Sequence, residues 1–168
     1  MYQRGDQVVY GIHGVCVVTG TEHRSVDRKQ VEYFVLEPLD QPGTKFFVPS
    51  GNAVALAKLR PMIDRESLEI LLRSSAVREN VWIEDENKRK LRYRELITVG
   101  DRKELLQMVY TLHRHKEELA QIGRKFHLCD ENFLHDAEKL LNSEFSRVLG
   151  IASGETGRYL KSLFTNIE

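Results

Sequence analysis

The sequence predicts a two-domain α+β chain, with a small antiparallel β-barrel over residues 1–62 followed by an all-α helical bundle over residues 63–168. Three observations point to this. Short runs rich in Val, Tyr and Phe recur about every ten residues before residue 60. The apolar period then changes from two to 3.6 after Arg60-Pro61. Helix start and stop residues punctuate everything that follows.

In the first part, VVY at 8–10, VCVVTG at 15–20, VEYFVL at 31–36 and KFFVP at 45–49 read as strands, with a further short strand expected near Val54–Leu59. The connections GIHG, HRSVDRKQ and DQPGT are polar or contain glycine, and are too short for βαβ crossovers, which favours a small antiparallel barrel. In the second part, Asp64 caps a helix carrying Leu68, Leu71 and Leu72. Residues 74–82 read as a loop. A helix over about 84–99 takes Leu91, Leu96 and Val99 as its apolar contacts and stops at Gly100. Asp101, with Glu104 three residues on, opens a helix striped with Leu105, Val109, Leu112 and Leu119 that ends at Gly123. Asp130 starts another, bearing Phe133, Ala137, Leu140, Leu141, Phe145 and Val148 up to Gly150, and Ser153 begins a short last helix through Phe164.

Composition narrows the function. A hydrophobic fraction of 41% and a charged fraction of 30% describe an ordinary globular chain. No stretch reaches the roughly 18 apolar residues of a membrane span. The N-terminus lacks a basic region followed by an apolar one, so no secretory signal is expected. Cys16 and Cys129 suggest no disulfide framework, and a cytoplasmic protein is expected. Net charge is zero, which argues against gripping nucleic acid by charge alone. The distribution is uneven: residues 73–116 hold eleven basic and seven acidic side chains, residues 117–168 six and nine, so the middle is basic and the tail acidic.

Catalysis finds little support. There is no P-loop, GxGxxG or GxSxG motif. His113 and His115 are two apart on a helix and point in different directions. His127, Cys129 and His135 match no familiar zinc spacing and read as loop and cap residues. Cys16, inside a strand, reads as a small core hydrophobe. No enzyme, metal, cofactor or small-molecule substrate is expected. The informative run is WIEDENKRKLRYR at 82–94, where Lys88, Arg89, Lys90, Arg92 and Arg94 fall within seven residues. That surface reads equally as a phosphate cradle or a solvated helix face. Trp82, the single tryptophan, is either a core plug or a wedge for bases. Tyr93 is open in the same way. In the first domain, Arg24, Arg28 and Lys29 crowd one loop, and exposed strand edges there could pair with another sheet.

GDQVVYGIHGVCVVTG, VEYFVLEPL and FFVPSGNA closely resemble the N-terminal module of the CarD/CdnL family. Trp82, Asn87, Arg89, Tyr93, Glu95, Leu96, Gly100-Asp101, TLHRH, DENFLHDAEKLLNSEF and VLGI resemble its helical half. The N-terminal motif also occurs in the transcription-repair coupling factor, a large helicase, but the helical half here resembles CarD-like regulators, so a regulator rather than a helicase is expected. The resemblance implies a Tudor-like β domain that binds the β subunit of RNA polymerase. It also implies a helical domain that reaches promoter DNA at the upstream edge of the transcription bubble, where a tryptophan wedges into the minor groove. The open complex is thereby stabilised without sequence readout. Carried onto this chain, Trp82 becomes the wedge and Arg24 a polymerase contact, with Arg28 of the same basic loop expected beside it. Phe47 stands where the family places a second basic contact. Because Ile-Glu-Asp-Glu follows Trp82, the phosphate contacts shift to Lys88, Arg89, Arg92 and Arg94, with Tyr93 beside them. The alternative is a protein–protein adaptor that uses the β domain without touching DNA. A monomer suffices for either.

Overall fold

The structure is a computed structural model that describes residues 1–166. The chain divides into two compact units, Met1–Met62 and Ile63–Glu168.

The first unit is a five-stranded antiparallel sheet. Its strands are β1 (Gln7–Tyr10), β2 (Val15–Val26), β3 (Lys29–Pro38), β4 (Phe46–Pro49) and β5 (Leu59–Pro61), in the order β4-β3-β2-β1-β5. Side-chain alternation with the register Val8↔Cys16, Val18↔Leu36 and Phe34↔Val48 puts these six residues, with Leu59, into one core. Burial raises the Cys16 thiol to a pKa of about 11, with Asp40 adding to the rise, so the residue behaves as a hydrophobe rather than a nucleophile.

The expected barrel is not closed, because β4 and β5 do not pair. Where a last strand is expected near Val54–Leu59, Ala53–Leu56 form a one-turn helix, α1. Asn52 caps it by accepting from the Ala55 N–H at 3.1 Å, and two alanines favour the helix over a strand. Only the three residues of β5 remain, paired with β1 alone.

A second correction concerns HRSVDRKQ. It is not a loop: β2 and β3 run on until a two-residue turn, Asp27-Arg28, with φ of 48° and 63° and Val26↔Lys29 closing the ladder. Because β1 covers β2 only as far as Val17, and β4 covers β3 only from Tyr33 to Leu36, this hairpin projects beyond its neighbours.

The second unit consists of α2 (Arg65–Arg73), α3 (Glu86–Val99), α4 (Arg102–Gln121), α5 (Leu128–Leu149) and α6 (Thr156–Thr165), with a 3-10 turn at Ser75–Arg78. Asp64, Asp85 and Asp101 each accept the N–H three residues on, and Gly100 and Gly150 end α3 and α5 in the left-handed conformation. Leu72, Leu106, Met108, Leu112, Phe145 and Leu160 lie in the shared core.

Two expectations fail here in an instructive way. Leu91 and Val99 are 67% and 60% exposed, and α3 buries Arg89, Tyr93 and Leu96 instead. Asp130 does not start α5, which begins two residues earlier. It lies buried in the first turn, facing Arg89. One buried ion pair therefore rotates α3 away from the face its apolar residues suggest.

Candidate functional site

In the first unit, β2 and β4 bring two of the three anticipated contacts together. The Arg24 guanidinium lies 3.5 Å from the centre of the Phe47 ring, and its Nε donates to Glu22 Oε1 at 2.9 Å. A cation held over a ring in this way is pre-organised at modest entropic cost. Arg28 stands apart, exposed at the hairpin turn and without an ion-pair partner among the described residues. Strand β4 has a neighbour on one side only, so its other edge presents unpaired backbone groups.

In the second unit, Trp82 sits on the segment between the 3-10 turn and α3, and this segment is fastened at several points. Val81 N–H donates to Thr111 Oγ1 on α4 at 2.9 Å, and Gln107 Nε2 donates to Ala76 O at 2.8 Å and Glu79 Oε2 at 3.2 Å. Arg89 Nη1 donates to the carbonyls of Ile83 and Glu84 at 2.8 and 3.3 Å. The same guanidinium grips both Asp130 oxygens at 3.0 Å. Burial works against its charge, but the Asp130 hydrogen bonds and charge outweigh this, and its pKa stands above the ordinary arginine value.

The indole itself is half-buried. Arg89 Cζ lies 4.2 Å from its ring centre, and the His115 imidazole stacks on it at 3.7 Å and 22°. Its Nε1 is covered and has no hydrogen-bond partner among the described residues. Trp82 is thus neither sealed in the core nor projecting freely.

The basic run divides sharply. Lys88 and Arg94 are exposed and have no ion-pair partner among the described residues. They flank exposed Leu91, about 9 Å apart along the helix axis. Lys90 pairs with Glu86, and Arg92 is half-exposed between Glu95 and Glu104, both at 2.9 Å. Arg89 and Tyr93 must be withdrawn as DNA contacts. Arg89 is 5% exposed and already spends its donors on Asp130 and two carbonyls. Tyr93 is fully buried against Phe133, with its hydroxyl unpartnered among the described residues, and burial pushes its pKa upward, Asp130 adding to the effect.

Residues 2–63 match the CarD-like/TRCF RID domain family. The first unit is thus similar to CarD-like RNA polymerase-interacting domains. No curated protein matches the chain. The family match ends where the second unit begins.

In the first unit, the Arg24–Phe47 stack and the open β4 edge offer a protein surface a fixed cation, an apolar ring and unpaired strand groups. In the helical unit, sequence reasoning overlooked Asp130 and His115. Asp130 reads as an ordinary helix cap, and His115 lies 33 residues from Trp82, a separation at which single-sequence patterns carry no contact signal. Among the described residues no group of three His, Cys, Asp or Glu side chains converges on a metal-sized site, and no helix is long and apolar enough to cross a membrane.

Proposed function

We propose that the chain is a transcription regulator that docks on the β subunit of RNA polymerase through its RID domain and stabilises the open promoter complex through its helical unit. The observation that carries this reading is the joining of a domain similar to polymerase-interacting ones to a unit whose single tryptophan is held on a fastened segment leading into α3, where exposed Lys88 and Arg94 have no ion-pair partner among the described residues. The DNA-facing set is Trp82, Lys88 and Arg94, with Arg92 contributing as its acidic partners allow.

The physical division of labour fits a neutral protein. Two exposed cations bind free DNA weakly. Docking on polymerase raises the local DNA concentration to the millimolar order, and weak contacts then suffice. Placing a ring at the upstream fork of the bubble costs less than unstacking intact duplex. Such contacts shift the closed-to-open equilibrium only by their difference in affinity for the two states.

Trp82→Ala should leave polymerase binding unchanged and shorten the open-complex lifetime about two- to tenfold, the equivalent of one aromatic contact. Lifetimes measured after heparin challenge, with each variant saturating its polymerase, check this. An unaltered lifetime would instead support an adaptor that uses the RID domain without touching DNA.

A further inference from the structure

Among the described residues a guanidinium and an imidazole ring lie over the Trp82 indole, and they are held very differently. The Arg89 guanidinium is bolted in place by four hydrogen bonds, two to Asp130 and two to the carbonyls of Ile83 and Glu84. The His115 imidazole, among the described residues, has no hydrogen bond and no ion pair. It meets two rings, stacked on Trp82 at 3.7 Å and 22° with Phe126 at 6.2 Å on a tilted plane. A flat nitrogen heterocycle, nearly parallel to an indole at this spacing, occupies the volume a nucleobase takes when it stacks on an aromatic platform.

We infer that His115 is a latch that stands in for a DNA base on Trp82, covering the stacking face until an unpaired base at the fork displaces it. The inference rests on the proposed function, because it assumes that Trp82 meets DNA. The backbone of α4 need not move. Rotation of the His115 side chain about its Cα–Cβ bond uncovers the indole, and Phe126 offers the imidazole an alternative ring contact. Arg89 stays where it is and keeps the indole oriented during the exchange. The latch sets a threshold: duplex DNA, with its bases already stacked, gains nothing by displacing the imidazole, whereas an unpaired base does. Discrimination between closed and open promoter DNA is thereby partly built into the free protein.

The test uses the full chain, in which all tryptophan fluorescence comes from Trp82. His115→Ala should raise acrylamide quenching of that fluorescence and lengthen the lifetime of the polymerase–promoter open complex about two- to tenfold, the size of one aromatic stacking contact. His115→Phe, which keeps a flat ring over the indole, should leave both near wild type. Unchanged quenching in His115→Ala, or a lifetime that stays the same or falls, would overturn the latch. Trp82→Ala in the same assay separates the two readings. If it shortens the lifetime while His115→Ala fails to lengthen it, the latch alone is wrong. If it has no effect, the ring does not meet DNA, and both fall together.

Discussion

Replacing Arg89 by methionine is expected to destabilise the helical unit by about 3–5 kcal/mol, the usual result of removing one partner from a buried ion pair. Asp130 is 1% exposed, and loss of the guanidinium leaves its carboxylate without water or a counter-ion. The Ile83 and Glu84 carbonyls lose their donors as well, so the segment bearing Trp82 loosens together with the core. Urea unfolding followed by Trp82 fluorescence measures this in the unit concerned. The double variant Arg89→Met/Asp130→Leu should recover most of the loss, because an apolar pair of similar volume removes the stranded charge. Unchanged stability in Arg89→Met, accompanied by weaker DNA contact, would return Arg89 to the surface role that its place in the basic run suggests.

Arg24→Glu is expected to weaken binding of the full chain to core RNA polymerase by about ten- to a hundredfold, since a reversed charge across an interface sets like against like. The change also removes the cation from the Phe47 ring and places a second acid beside Glu22. Arg28→Glu, at the hairpin turn and away from that stack, should have the smaller effect. The fold is not at stake, because Arg24 is about half exposed and contributes nothing to the sheet's core. Binding isotherms of the two variants against the wild type decide the matter, and an unaltered affinity for Arg24→Glu would remove this residue from the interface.

Where local chemistry decides structure, it was legible in the residues. The carboxylates of Asp64 and Asp101 cap the helices they precede, Gly100 and Gly150 end theirs, and the alternation in VCVV and YFVL puts Cys16, Val18, Phe34 and Leu36 into the core. Where a distant partner decides, it was not. Leu91 and Val99 read as the buried face of α3 because they are apolar, but Arg89 and Tyr93 take that place because Asp130, 41 residues further on, meets the guanidinium. AVAL reads as a strand by its valine, yet the Asn52 cap and the two alanines turn it into α1. The barrel failed to close for the same reason. In the basic run, composition counts five cations alike, whereas acids on the same and neighbouring helices pair with all but Lys88 and Arg94 among the described residues. Trp82 illustrates both sides: its singular position marked it for attention, but the His115 stack that shapes its exposure lies beyond any local pattern.

The central claim, that docking by one unit delivers the other to melted DNA, is tested most directly by a photo-reactive residue in place of Leu91, the exposed position between Lys88 and Arg94. Illuminated within a polymerase–promoter open complex, it should cross-link to DNA at the upstream edge of the bubble, and it should give little or no DNA product with the same promoter when polymerase is omitted. Cross-links to polymerase subunits alone, or equal DNA labelling with and without polymerase, would contradict it.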